Sequence, residues 1–159
     1  MAKRVVVWGT GFVGKLVIAE IVRHPWFELV GVGVSNPDKV GKDVGDLCGL
    51  DHLGIAATDS VEELIELRPD ALVHYGPTAA HADENIRVMG AFLRAGIDVC
   101  STAMTPWVWP GRKQNPPSWL VPIARACAAG GPPCSTTAID PGFANALVPH
   151  TPSRPWPGS

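Results

Sequence analysis

Apolar residues recur along the chain at two spacings, which predict strands and helices in turn. Residues 5–7 are all valine, follow two basic residues, and are typical of a parallel strand buried on both faces. The residues after them predict a helix whose apolar face comprises Val13, Leu16, Val17 and Ile21. That helix ends near His24, because Pro25 disfavours helical backbone in the residue before it. A second strand is predicted over residues 28–34.

The same alternation continues over the rest of the chain. Ser60 begins a capping box, so a helix starts there and ends before Pro69. Two later helices are predicted, one carrying Ala82, Ile86, Met89 and Leu93 and ending at Gly96, the other carrying Leu120, Ile123, Ala124 and Cys127. Further strands are predicted over residues 54–58, 71–74, 97–100 and 134–138. About six strands alternating with helices predict an α/β fold with a doubly wound parallel sheet.

The chain length and the composition of the last residues set the predicted domain organisation. A chain of 159 residues suits one domain, which we assign to residues 1–148. Residues 149–159 contain four prolines and cannot continue a helix. This tail is either a disordered terminus or the product of a truncation or a change of reading frame.

Net charge and cysteine placement exclude several classes of function. The formal net charge is −2, with 13 basic and 15 acidic residues mixed along the chain, so no basic surface for nucleic acid is predicted. The four cysteines form no C-x-x-C pair and have no histidine at zinc-finger spacing, so we predict no metal site. No apolar run reaches the ~18 residues of a membrane span, and no secretory signal is found. We therefore expect a cytoplasmic protein without a membrane or nucleic-acid partner.

The most informative local pattern is the glycine-rich turn between the first strand and the first helix. Gly9 suits the tight turn, Gly11 lets phosphates approach the backbone, and Gly14 lets the helix pack close to the strand. The flanking strands and helix are the context that a dinucleotide-binding (Rossmann) fold requires. The predicted pyrophosphate site comprises Gly9, Thr10, Gly11, Phe12, Val13 and Gly14. A glycine-rich turn without a ligand, as in some flavodoxin-like folds, is the alternative.

Two further segments complete the predicted cofactor site. After the second strand, Ser35 and Asn36 stand where an NAD-selective site carries a carboxylate, and Lys39 follows. Without that carboxylate a 2′-phosphate meets no repulsion, so we expect NADP, with NAD as the alternative. Ligands lie beyond the carboxyl ends of the strands, so two later loops should border the nicotinamide. The candidates in those loops are Tyr75, Gly76, Pro77, Thr102 and Ala103.

No catalytic group is assigned from the sequence. His74 and His81 flank one of these loops, but the end of a strand and the start of a helix are common structural positions for polar residues. Asp140 is better explained as the cap of a helix that starts after Gly142. The pattern shows no nucleophile set and no pair of carboxylates placed for acid and base chemistry.

Two segments resemble one family of oxidoreductases. Residues 6–14 and the Ile-Asp-Pro-Gly-Phe segment at 139–143 are similar to those of the dihydrodipicolinate reductase-like enzymes, and closest to their 2,4-diaminopentanoate and native amine dehydrogenase group. The resemblance covers residues 3–148 and implies hydride transfer between a nicotinamide and a C=N or C=C bond. It also implies a second α+β domain that contacts a small amine or imine substrate and supplies most of a homo-oligomer interface. We expect this chain to lack that domain.

The resemblance is incomplete at one segment. Amine dehydrogenases of this group are expected to carry a glutamate shortly after the fifth predicted strand, where residues 101–106 read Ser-Thr-Ala-Met-Thr-Pro. We therefore expect the cofactor-binding part of an oxidoreductase that has no activity by itself. A nucleotide-sensing module without catalysis is the alternative, and a Rossmann-like fold that binds no nucleotide is a third.

Overall fold

A parallel sheet is the centre of the computed structural model, which describes residues 1–76, 78–108, 111, 113 and 115–136. The strands among these residues are β1 (Lys3–Trp8), β2 (Phe27–Gly33), β3 (Ala71–His74), β4 (Asp98–Ser101) and β5 (Cys134–Thr136). The helices are α1 (Phe12–Arg23), α2 (Val44–Cys48), α3 (Val61–Glu66), α4 (Thr78–Arg94) and α5 (Pro117–Gly130). Two short 3-10 helices span Pro37–Lys39 and Thr105–Val108. In this part of the chain no helix is long and apolar enough to cross a bilayer.

The strand order places β1 between the two halves of the sheet. The order is β2-β1-β3-β4-β5, and every neighbouring pair is parallel. The chain therefore runs from β1 to β2 on one side, and then crosses back to β3 on the other side of β1. A crevice forms beyond the carboxyl ends of β1 and β3, where these two connections diverge. This arrangement confirms the predicted doubly wound α/β fold.

The expected third strand, over residues 54–58, makes only isolated bridges. One bridge joins Thr58 to Gly33 at the end of β2. The segment divides its backbone hydrogen bonds between the end of β2 and residues 41–44 of the preceding loop, so it forms a continuous ladder with neither. The sheet of the described residues consequently has five strands, close to the expected number.

Both faces of β1 are buried, as its apolar run predicts. Val5 and Val7 face a core cluster closed by α1, whereas Val6 and Trp8 face a cluster closed by α4. None of these four side chains is more than 3% exposed. Each buried valine contributes roughly 1.5–3 kcal/mol to the free energy of folding.

The buried face of α1 differs from the predicted one. Val13 and Leu16 are 50% and 57% exposed, whereas Gly14, Ile18 and Ile21 are buried. Gly14 takes the inward position of the first turn. Because glycine has no apolar side chain, the spacing of apolar residues does not indicate that this position is buried. The prediction was therefore wrong at Val13 and Leu16.

The two later helices follow their predicted patterns to different degrees. The apolar face of α4 is confirmed by the burial of all four of its predicted residues, Ala82, Ile86, Met89 and Leu93. In α5 the structure buries Ile123 and Ala126 and exposes Ala124, so the predicted face was wrong at Ala124. The cause is the close contact of α5 with α4, because a Cβ on Gly130 would overlap the carbonyl oxygen of Leu93. Residues 123, 126 and 130 then share the inward face.

The N-terminus of α3 carries the predicted cap. Ser60 Oγ accepts a hydrogen bond from Glu63 N at 3.2 Å. The reciprocal half of the capping box runs through Thr58, whose hydroxyl donates to Glu63 Oε2 at 2.7 Å and accepts from Ser60 N at 3.1 Å. The helix ends at Glu66, before Pro69, as predicted.

We expect Ser60→Ala to lower the free energy of unfolding by about 1 kcal/mol, because Glu63 N then loses its acceptor. Ser60→Asp keeps an acceptor at the cap and should stay within about 0.5 kcal/mol of the wild type. Urea denaturation of the three proteins measures the difference. A Ser60→Ala protein as stable as the wild type would show that the cap contributes nothing net.

Several expectations concern residues outside the described part of the chain. These are Pro77, residues 137–138 of the last predicted strand, Asp140 with its segment 139–143, and the tail 149–159. The domain boundary at residue 148 belongs with them. They stay predictions.

Candidate functional site

A cavity of about 220 Å³ lies in the crevice beyond the carboxyl ends of β1 and β3. Its walls come from the turn after β1, the segment after β2, the end of β3 and the first turns of α4. The predicted cofactor residues that line it are Gly9, Thr10, Gly11, Ser35, Asn36, Lys39, Tyr75 and Gly76. Segments that are far apart in the sequence therefore meet in this space, the first cavity.

A second cavity of about 210 Å³ adjoins the first on the side of α1. The two cavities share Gly11, Tyr75 and Gly76. The remaining lining residues of the second cavity are also predicted cofactor residues: Phe12, Val13, Gly14 and Thr102. Gly11, the second glycine of the turn, thus lines both cavities.

Ala103 is the one predicted site residue of the described chain that lines neither cavity. It is 1% exposed and belongs to the core cluster beneath α4. Its backbone N–H donates to Ser101 Oγ at 2.9 Å, which turns the chain inward directly after Thr102. The side chain of Ala103 is therefore a core residue.

Each glycine of the turn has the environment that its predicted role requires. Gly9 has a φ of +107°, and a Cβ there would overlap the carbonyl oxygen of Tyr75. A Cβ on Gly14 would overlap the carbonyl oxygen of Gly9, so α1 packs directly against the turn. At Gly11, by contrast, no heavy atom of the described residues other than its two chain neighbours lies within 4 Å of the Cβ position. Gly11 therefore faces open space that a ligand can fill.

The N-terminus of α1 opens onto this space without a side-chain cap. Gly11 is the N-cap residue, and the first turn carries no acidic side chain. The first N–H groups of a helix have no acceptor within it, and the helix dipole adds a partial positive charge there. The turn consequently offers backbone donors to an anion such as a pyrophosphate.

Lys39 reaches the glycine turn from the segment after β2. Its Nζ donates to Thr10 Oγ1 at 2.9 Å and to the Thr10 carbonyl oxygen at 3.3 Å. Asn36 begins the 3-10 helix that carries the lysine, and its side chain accepts from Asp38 N at 2.9 Å. Asp38, the carboxylate nearest in sequence, does not line the first cavity. The end of β2 therefore presents a cation to the cavity.

Three residues of α4 also line the first cavity, and the sequence reasoning assigned none of them to the cofactor. They are His81, Glu84 and Asn85. His81 Nδ1 lies 3.6 Å from Glu84 Oε2, and Glu84 supplies the only carboxylate among the described lining residues. One signal was available, because a helix that directly follows β3 must begin at the carboxyl end of the sheet, where ligands bind.

His74 at the end of β3 is fully buried and is no part of either cavity. Neither of its ring nitrogens has a hydrogen-bond partner among the described residues. Burial lowers the pKa of His74 from 6.5 to about 4. A neutral imidazole without access to the cavities agrees with the structural role expected from the sequence.

One group of potential metal ligands lies outside the cavities. Asp43, Asp46 and His52 bring one ligand atom each within 4.8 Å of one another. The Asp43 carboxylate already accepts three backbone N–H groups, at 2.8, 3.1 and 3.1 Å. These bonds give Asp43 a structural role in fastening the loop around α2.

A family model described as "Dihydrodipicolinate reductase, N-terminus" matches residues 3–104. The matched range contains every residue that lines the two cavities. It also contains the first four strands of the sheet, from β1 to β4.

Individual proteins are similar over most of this chain. An amine dehydrogenase from Streptomyces virginiae is 37% identical over 145 residues, which are 91% of this chain and 40% of that protein. The structure of an amine dehydrogenase from Mycobacterium smegmatis matches with a TM-score of 0.74 at 23% identity, over 86% of this chain and 39% of that one. The WlbA dehydrogenase from Bordetella pertussis, solved with NADH and UDP-GlcNAcA, matches with a TM-score of 0.60 at 21% identity, over 86% and 35%.

The two structural matches show that this fold is shared with dehydrogenases. The chain spans about two fifths of the length of the two amine dehydrogenases. The similarity therefore concerns one part of each of those proteins.

Proposed function

Since this chain belongs to the family of the dihydrodipicolinate reductase N-terminus, we propose that it is the cofactor-binding module of an oxidoreductase and holds a nicotinamide dinucleotide. The observation that carries this proposal is the environment of Gly11. It lies at the N-terminus of α1, which has no side-chain cap, and it lines both cavities, with open space at its Cβ position. A bound pyrophosphate needs an approach of this kind to the backbone.

The two cavities suit the two halves of a dinucleotide. The first cavity takes the adenosine half, because it lies beside the end of β2, where the ribose of a dinucleotide is held in this fold. The nicotinamide half extends toward the second cavity, past Gly11 to Thr102 after β4. When bound, the cofactor supplies a hydride donor or acceptor at the nicotinamide ring. The residues of this chain hold and orient it.

The reaction of the whole protein is hydride transfer between this cofactor and a C=N or C=C bond of a small amine or imine substrate. The names of the two amine dehydrogenases support the C=N alternative. Contacts to that substrate come from a second domain beyond residue 148. Alignment of donor and acceptor in a closed cleft accounts for ~7–11 kcal/mol of such a barrier, so residues 1–159 alone should have no measurable turnover.

We propose NADP as the preferred cofactor. Ser35 and Asn36 leave the end of β2 without a carboxylate, and Lys39 Nζ borders the same cavity. The extra 2′-phosphate of NADP therefore meets a cation where an NAD-selective site repels it. Glu84 lies on the α4 wall of the cavity, and its carboxylate can accept hydrogen bonds from ribose hydroxyls. We therefore expect NAD to bind as well, at lower affinity than NADP.

Calorimetric titration of the protein with NADPH and NADH tests both proposals. We expect Lys39→Met to raise the Kd of NADPH by about 10-fold, equivalent to about 1.4 kcal/mol, and to leave the Kd of NADH nearly unchanged. Lys42→Met is the matched control, because Lys42 is an exposed lysine of the same segment that does not line the cavity. It should change neither Kd.

Two outcomes would contradict these proposals separately. Heat of binding for neither dinucleotide would contradict the cofactor-binding function. Binding of both with equal affinity, unchanged by Lys39→Met, would support the function and reject the preference for NADP.

A further inference from the structure

Thr10 occupies an unusual position between the first two glycines of the turn. Its residue surface is only 4% exposed, although the glycines on either side line open cavities. Both of its oxygen atoms face Lys39, and the hydroxyl lies 2.9 Å and the carbonyl oxygen 3.3 Å from Nζ. A contact between residues 29 apart in sequence thus joins the glycine turn to the segment after β2.

This contact fixes the position of the lysine ammonium before any ligand arrives. A lysine side chain has four flexible carbon–carbon bonds, and ordering it when a ligand binds weakens binding. Here the backbone of Lys39 is held in a 3-10 helix capped by Asn36, and its Nζ is held by Thr10. Both ends of the side chain are therefore already ordered.

The chemistry of the pair favours an anion with several oxygens. An ammonium has three N–H donors, and Thr10 accepts two of them, so one remains for a ligand. The Thr10 hydroxyl accepts from Lys39, and its own O–H is left to donate to another acceptor. Both residues line the first cavity, on the side of the end of β2. Together they offer a cationic and a neutral donor to the oxygens of a phosphate monoester.

We propose that Thr10 is the positioning residue for Lys39, and that the two residues together form the subsite that selects the 2′-phosphate of NADP. This inference rests on the proposed cofactor function. It assigns the pair to the 2′-phosphate, and the pyrophosphate to the backbone donors at the start of α1. The pair should therefore affect the preference between the two dinucleotides and leave their shared binding unchanged.

The test is Thr10→Val, which removes the hydroxyl and keeps the branched shape. We expect the Kd of NADPH to rise about 5-fold, because one charge-assisted hydrogen bond is lost. The Kd of NADH should change by less than about 2-fold. Thr10→Ser keeps the hydroxyl and should restore the wild-type preference. In the Lys39→Met background, Thr10→Val should raise the Kd of NADPH by less than it does in the wild type, because only the hydroxyl donor is then lost and no ammonium remains to be positioned.

Adenosine 2′-monophosphate and adenosine 5′-monophosphate provide a second readout. Thr10→Val should weaken the 2′-isomer alone. Thermal unfolding of each variant checks the fold, and Thr10→Ala replaces Thr10→Val if the valine variant does not fold.

The outcomes separate this inference from the function on which it rests. If the wild type binds neither dinucleotide, both are overturned. If it binds them and Thr10→Val weakens NADPH and NADH equally, the pair serves the pyrophosphate and this inference alone is overturned. An unchanged preference in Thr10→Val, or an additive effect in the double variant, also overturns it.

Discussion

Gly11→Asp is expected to raise the Kd of NADPH and of NADH by at least about 100-fold, which is about 2.7 kcal/mol. The new side chain enters the open space at the start of α1, where the pyrophosphate is proposed to lie. Its carboxylate then opposes a phosphate within a few ångströms, and two like charges 4 Å apart repel by about 4 kcal/mol in a partly buried site. Both dinucleotides lose affinity because they share the pyrophosphate.

The fold should tolerate this substitution. Gly11 has a φ of −73° and a ψ of −172°, which any residue adopts, and it is the N-cap residue of α1. Aspartate is among the preferred N-cap residues, so the variant should be as stable as the wild type or slightly more stable. Thermal unfolding measured beside the calorimetric titration separates lost binding from lost structure.

Gly11→Ala is the control for size without charge, and it should lose less affinity than Gly11→Asp. Gly9 and Gly14 are unsuitable for this purpose, because a Cβ at either position would overlap a backbone carbonyl oxygen. Wild-type affinity in a folded Gly11→Asp protein would remove Gly11 from the binding site and overturn the proposed place of the pyrophosphate at the start of α1.

The fold and half of the site follow from local patterns, because the physical requirement and the residue lie in the same segment. A valine run buried on both faces predicts β1, and a positive φ at Gly9 is the reason for a glycine there. The face of α1 was wrong at Val13 and Leu16 because Gly14, which determines that face, contributes nothing to apolar periodicity.

The remainder of the site depends on contacts between distant segments. The sequence separation of Thr10 and Lys39 does not predict that their side chains meet. The path of the chain through α1 and β2 brings Lys39 back to the glycine turn. Glu84 and Asn85 reach the first cavity only because β3 pairs beside β1, which brings the start of α4 to the glycine turn. Local sequence patterns predict the helices and strands, but the strand order determines which distant residues become neighbours.

His74 gives the second large effect, on the dependence of stability on pH. Its pKa is about 4 in the folded protein, against 6.5 as the ordinary value, because burial disfavours the imidazolium. Between these pH values the unfolded chain binds a proton at His74 that the folded protein does not bind. The free energy of unfolding therefore falls as the pH drops from about 6.5 to about 4, and this contribution is fully present above pH 6.5.

The expected loss from His74 alone between pH 7 and pH 4 is about 3 kcal/mol, a large fraction of the stability of a small domain. In His74→Leu the pH dependence should be shallower by this amount. The leucine variant should be at least as stable as the wild type at pH 7, because both ring nitrogens of His74 lack partners among the described residues and their removal leaves no unpaired polar group.

Urea denaturation at pH 7, 5.5 and 4 measures the three slopes for wild type, His74→Leu and the control His52→Gln, which removes an exposed histidine. The control should keep the steep slope of the wild type. Equal slopes in His74→Leu and wild type would show that His74 binds its proton equally well in the folded and unfolded states, and would contradict a buried neutral imidazole. A steep slope in the wild type that is lost in His74→Leu would instead establish a buried neutral imidazole at the end of β3, next in sequence to Tyr75, which lines the first cavity.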